Sequence, residues 1–218
     1  MVYLILMNKY TQYLYSKEYM SLLSTGIIIL IISSFVHYFA GVYATEVASN
    51  SVADIILSNT RPLDVHLIFI YGPVAFWTYV AIICLRRPER IPFVIKNIAL
   101  FTIIRSVFIS LTHIGPFPTE IVVQSDMLKM FLFGGDLFFS GHTGLPFLMA
   151  LVFWKNIKLR ILFILSAILF GVVVLLGHLH YTIDVLSAFF ITYTIFHIAK
   201  VLFPKDEELF YRGIRDRK

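Results

Sequence analysis

The chain has 218 residues, 59% of them apolar and only 14% charged, with a mean hydropathy of +0.84. Soluble domains carry about 25% charged residues, so a chain this short and this apolar cannot cover a water-facing surface. A membrane protein is expected. The formal net charge of +5 raises nucleic acid as a partner, but the placement of the basic residues accounts for it otherwise.

In chain order, the first 20 residues contain five tyrosines, Lys9, Lys17 and Glu18, and their one apolar run, residues 1–7, is too short to span. They read as a cytoplasmic interfacial segment, with a poorly ordered terminus as the alternative. Six long runs follow, at residues 26–44, 66–85, 98–117, 137–154, 161–177 and 185–199. A spanning helix takes roughly 17–25 apolar residues. The third run is interrupted by Arg105, and the last is long enough only if it starts near Tyr181 and tolerates Asp184. The first run exceeds a signal-peptide core of about 7–15 residues, so it is expected to stay as a helix, although Val42-Tyr43-Ala44 could pass as a cleavage site. The expected fold is all-α, a polytopic bundle of six transmembrane helices over residues 21–203, with 204–218 as a cytoplasmic tail. Internal repeats and linkers are absent, so one domain is read. Cys84 is the single cysteine, which excludes an intramolecular disulfide.

If the N-terminus is cytoplasmic, fifteen of the eighteen Lys and Arg residues fall on the cytoplasmic side, leaving Arg61, Arg105 and Lys129 opposite. That is a strong positive-inside bias, and it explains the basic excess without nucleic acid. The far side collects Glu46, Asp54, Asp64, Glu120, Asp126, Asp136 and Asp184, together with His66, His113, His142, His178 and His180. Titratable groups are expensive at a membrane and face polar cavities when present. The extracytoplasmic or lumenal end is therefore where chemistry is expected.

Three stretches carry it. Residues 134–143 read Gly-Gly-Asp-Leu-Phe-Phe-Ser-Gly-His-Thr, residues 178–184 read His-Leu-His-Tyr-Thr-Ile-Asp, and Arg105 through Thr112 close the third span. His180 and Asp184 are four apart, so on a helix they share a face. The carboxylate can then hold one imidazole nitrogen and leave the other a better nucleophile. His142 lies near a helix N-terminus, which favours phosphate. Arg105 adds a fork for phosphate oxygens. His37, His66, His113 and His197 are read as ordinary packed or interfacial residues.

Ser-Gly-His followed by His-x-x-x-Asp resembles the type 2 phosphatidic acid phosphatase superfamily. The fuller strings Gly-Asp-x-x-x-Ser-Gly-His-Thr and His-Tyr-Thr-x-Asp resemble its sphingomyelin synthase branch. Arg105-x-x-x-Ile109-x-x-Thr112 is similar to that branch's third-helix motif, and Arg61-Pro62-Leu63-Asp64 to a shortened first-loop motif. The resemblance runs over residues 61–203. It departs at Gly115-Pro116-Phe117-Pro118, where the family has a Leu-Pro version, and no additional interaction domain precedes the bundle. The resemblance implies a six-helix membrane fold in which a headgroup moves from a glycerophospholipid to ceramide, diacylglycerol or water. His180 would form a phosphohistidine, oriented by Asp184, and His142 would protonate the leaving alcohol and then deprotonate the acceptor. Asp136, Ser140, Thr143 and Tyr181, with Arg105, would shape the headgroup site. Neither a cofactor nor a metal is implied.

Four other readings compete. A lipid phosphate phosphatase of the same superfamily resembles its relatives in a Lys-x₆-Arg-Pro motif and a Ser-Arg pair, yet Val173 and Val174 stand at the pair's positions. An intramembrane serine protease would use Ser140, but its strong motif is Gly-x-Ser-Gly and residue 138 is Phe. A metal site from His178, His180 and Asp184 requires Leu179 to be non-helical. A transporter would also place ionisable groups within the membrane, with no need for Ser-Gly-His-Thr.

Overall fold

The computed structural model describes residues 10–121 and 135–214. Lys9, Asp126, Lys129, Gly134, Arg215, Arg217 and Lys218, used above in the charge and motif readings, lie outside the described residues.

Helix α1 runs from Lys17 to Glu46, and Ser16 caps it by accepting from the Tyr19 amide at 3.3 Å. Helix α2 spans His66–Leu85 and contains Pro73. A 3₁₀ turn, Pro88–Arg90, leads into α3, Ile91–Leu111, whose Pro92 sits in the first turn, where no amide partner is lost. Helix α4 is Gly141–Val152, α5 is Ile157–Leu176 capped by the Asn156 side chain, and α6 is Thr182–Leu202. A short α7, Pro204–Arg212, follows after Phe203. Among the described residues there is no strand. The fold is all-α.

Helix α1 packs along α3, α2 lies against α5, and α4 is held among α3, α5 and α6. The core is aromatic and aliphatic, with Phe93, Phe101, Phe139, Leu148, Met149 and Phe163 fully buried. Gly144 lets α4 approach its neighbours closely: a Cβ there would come within 2.7 Å of the Phe101 ring and 2.9 Å of Thr192 Oγ1. Outward faces remain apolar, as with Ile28, Phe35 and Phe39 on α1, Leu165 on α5 and Phe190 on α6. Exposed apolar flanks around an aromatic interior suit a lipid surround, and the helices are consistent with an integral membrane protein.

The expected count of six spans is not confirmed. Among the described residues five helical segments are long and apolar enough to cross a bilayer, and Gly141–Val152 is a 12-residue helix. At 1.5 Å per residue it is about 18 Å long, well short of a hydrocarbon core of about 30 Å. The backbone before it is committed elsewhere: Asp136 O and Phe139 O accept from Arg105, and Ser140 N donates to Asp184 O. Those contacts accompany a non-helical backbone over 135–140. Irregular backbone at membrane depth is tolerated when it is buried in protein, and Leu137, Phe139 and Ser140 are buried. The third run also ends early, at Leu111 and not at Phe117.

One end of the bundle is knitted by hydrogen bonds between loops. Ser49 N donates to His113 O, Leu63 N to Leu176 O, and Ile121 N to Gly177 O. Gly115 is obligatory there, since a Cβ would meet Ser49 O at 2.2 Å. At the opposite end Tyr19 donates to Pro88 O, and α7 docks onto α3 through a buried bidentate Lys96–Asp206 pair at 2.7 and 2.9 Å. The stretch read from sequence as a tail is thus, over Pro204–Arg212, a packed helix.

Candidate active site

Both sequence motifs arrive at the loop-knitted end because each lies just before a helix. Ser140 is the N-cap of α4; its Oγ accepts from Thr143 N at 3.4 Å and Thr143 Oγ1 at 3.3 Å. That cap places His142 in the first turn, beside amides that have no intrahelical partner. Tyr181 is the N-cap of α6, and Asp184 closes a capping box by accepting from Tyr181 N at 2.9 Å.

The same Asp184 Oδ2 stands 3.4 Å from His180 Nδ1, with His180 at 7% exposure and Asp184 fully buried. Sequence spacing suggested a pair on one helical face. His180 in fact precedes the helix, and the contact forms across the cap. Leu179 is non-helical too, the condition named for joint chelation by His178 and His180. His178 instead turns to the loops: Thr119 Oγ1 lies 2.6 Å from its Nδ1 and Thr60 Oγ1 3.3 Å from its Nε2. Its backbone is left-handed, at φ 54°. Among the described residues no group of three or more His, Cys, Asp or Glu side chains could hold a metal ion.

The rings of His142 and His180 lie with centroids 6.5 Å apart, and His142 stacks on Phe69 of α2 at 4.5 Å and 22°. Arg105, on α3, reaches beneath the α4 N-terminus. Its Nε donates to Phe139 O at 2.7 Å, its Nη2 to Asp136 O at 3.1 Å, and its Nη1 pairs with the Asp136 carboxylate. His37 of α1 approaches the same carboxylate at 3.6 Å. Arg105 and Asp136 are therefore paired with each other. Tyr181 is buried with its hydroxyl engaged, donating to Gly115 O at 2.8 Å and accepting from Val52 N at 3.2 Å.

Residues 134–201 match the family model described as PAP2 superfamily C-terminal. The match supports placing the chain in the PAP2 superfamily and a lipid phosphatase or phosphotransferase kind of activity. It begins at the Gly-Gly-Asp motif and takes in the whole Ser-Gly-His and His-x-x-x-Asp constellation. No curated protein and no solved structure matches the chain.

Sequence reasoning missed three contributors to this PAP2-like site. Asp54 accepts from Thr182 N at 2.7 Å, Thr182 Oγ1 at 2.9 Å, Ile56 N at 2.9 Å and Leu57 N at 3.1 Å, pinning the α1–α2 loop to the start of α6. Burial pushes the Asp54 carboxyl up, but those hydrogen bonds outweigh it and hold it below the usual range. Glu120 sits between Thr119, bound to His178, and Ile121, bound to Gly177. Burial pushes its carboxyl up to about 7, with His180 opposing. Phe69 is a plain apolar residue in a span and carried no signal at all. Asp54 and Glu120 were visible as far-side acids, but the Asp54 partner is 128 residues away.

Proposed function

We propose that this protein is a phospholipid headgroup phosphotransferase acting through a phosphohistidine. The observation that carries the reading is the facing pair His142 and His180, with Asp184 fixing His180 through Nδ1. Nε2 is then the free nucleophile. It attacks phosphorus while the bond to the glycerolipid oxygen breaks and His142 delivers a proton to that oxygen. His142 then takes the proton from an acceptor hydroxyl, the hydroxyl oxygen attacks phosphorus, the P–N bond breaks, and His180 is restored. General acid–base assistance of this kind contributes about 10²–10⁴-fold. First-turn amides of α4 would receive the phosphate oxygens, with Ser140 and Thr143 holding that turn in place.

A lipid phosphate phosphatase uses the same histidines and is equally compatible with the PAP2 match. The charge balance favours transfer of a choline or ethanolamine headgroup. A phosphomonoester dianion needs several fixed cations, and Arg105, the buried cation beside the histidines among the described residues, is already paired with Asp136. A phosphodiester carries one negative charge on its phosphate. The proposed orientation, with both termini cytoplasmic and the site extracytoplasmic or lumenal, follows from the fifteen-to-three basic asymmetry.

Purified protein supplied with headgroup-labelled phosphatidylcholine or phosphatidylethanolamine, with and without ceramide, tests this against phosphatidic acid. Headgroup transfer or release is expected to exceed phosphate release. Asp136→Asn frees Arg105 and should move the ratio of activities toward phosphatidic acid by about 10-fold or more, the worth of one charge-assisted contact. Preference of the wild type for phosphatidic acid, with both activities falling equally in Asp136→Asn, replaces the transferase by the phosphatase.

A further inference from the structure

At the end of the bundle remote from the histidines, a cavity of about 540 Å³ opens between the α2–α3 connection, the α4–α5 turn and α7. Its lining holds four cations, Arg87, Arg90, Lys155 and Lys158, and no carboxylate. The floor is aromatic: the Arg90 guanidinium lies 5.4 Å from the Phe153 ring centre and 5.7 Å from that of Phe210, and Lys155 Nζ stands 3.6 Å from the Tyr211 ring centre. Such contacts hold cationic heads in place while leaving their N–H groups available to an anion. Asn156 and Ile157, also in the lining, open α5, so the positive end of this 20-residue helix lies at the cavity, with the Leu159 amide capped by the Asn156 side chain. Glu89 is the nearest carboxylate in sequence, and it is buried and hydrogen-bonded to Tyr13.

Topology signals scatter basic residues along loops. Here a fourfold cluster converges on a concave site, walled by a helix that a buried ion pair, Lys96–Asp206, locks in place. We infer that this cavity binds a phosphate-bearing anion, and that its source is the headgroup of an anionic phospholipid in the leaflet at the basic end. A lipid source fits because the cavity lies at the ends of the candidate spans α2 and α5, and basic pockets between spans take such headgroups. The site is separate from the proposed chemistry, since α5 alone puts about 30 Å between its two ends.

The test uses the full-length protein in phosphatidylcholine nanodiscs, with cardiolipin as the probe lipid because it is anionic but lacks a choline or ethanolamine headgroup. Retained cardiolipin is counted by native mass spectrometry. Lys155→Gln/Lys158→Gln, at exposed positions, should weaken retention about 5-fold per charge, or about 30-fold for the pair. Lys17→Gln/Lys205→Gln, an equal charge loss at exposed residues outside the cavity, should leave it nearly unchanged. A parallel arm titrates inorganic phosphate. Cardiolipin retention insensitive to millimolar phosphate supports the lipid headgroup; saturable phosphate binding alone, removed by the cavity pair, reassigns the site to a free anion. No preference for cardiolipin over phosphatidylcholine together with no phosphate binding, or equal weakening by both double variants, overturns the site.

Discussion

His178 and His180 share one loop and His142 opens α4 opposite His180, yet the geometry gives the three different work. His180 is tied to Asp184 and faces His142, whereas His178 is spent on Thr119 and Thr60. His180→Ala should abolish both the covalent phosphoenzyme and turnover. His142→Ala should suppress turnover but recover with a substrate whose leaving group needs no protonation. His178→Ala should cost about 1–3 kcal/mol of stability through its lost loop contacts while keeping activity per folded molecule. Rapid-quench trapping and thermal unfolding separate the three. Complete loss of activity in folded His178→Ala would place that residue in the chemistry.

Glu120 offers a pH test at the same scale. Its carboxyl is raised from 4.5 to about 7 in the folded protein, burial being the cause. The folded state therefore holds a proton that the unfolded chain has released between those values. Stability contributed by that difference is present at low pH and is lost as pH rises through about 7. Glu120→Gln should match the wild type near pH 4 and exceed it near pH 8 in thermal unfolding. Parallel curves over the whole range would show that the carboxyl titrates normally.

Among the elements, α4 and α7 depend most on partners. Helix α4 is short because its approach segment, 135–140, satisfies Arg105 and Asp184 and not a helical ladder. Helix α7 is amphipathic and only nine residues long, below the length at which isolated helices persist. Its hold is Leu209 and Phe210 in the core and Asp206 on Lys96. Lys96→Met leaves Asp206 buried without its cation and should cost about 3–5 kcal/mol. Lys96→Met/Asp206→Leu should regain most of it. Unfolding of both in detergent, followed by tryptophan fluorescence, checks the pair; equal loss in single and double variants would show that packing, not charge, holds α7.

For the whole molecule, the structure separates a basic end, where Arg90, Lys155 and α7 meet, from an end built of loops, carboxylates and the facing histidines. The orientation proposed from the positive-inside bias puts the basic end in the cytoplasm, and labelling tests it. Ser51→Cys, exposed at the histidine end, should react with an impermeant maleimide in right-side-out vesicles, and Lys205→Cys only after permeabilisation. The native Cys84 is buried and contributes little background. The reverse pattern would invert the orientation and move the site to the cytoplasmic face.

How much of this was legible beforehand depends on range. Composition determined the membrane class because hydropathy sums over residues without regard to contacts, and the all-α fold followed from the run lengths. The meeting of His180 with Asp184 was legible because only four residues separate them at one helix start; their part in the chemistry is the proposal made above. Three things were decided only by tertiary structure. The fourth apolar run became a 12-residue helix because hydrogen bonds to Arg105, 34 residues away, consume its preceding backbone. Arg105 and Asp136 became each other's partners, and Asp54 became the clasp of α6, because carboxylates in a low-dielectric interior take the nearest donor whatever its distance along the chain. Sequence spacing states what can meet on one helix; which charges meet across helices is settled only when the bundle closes.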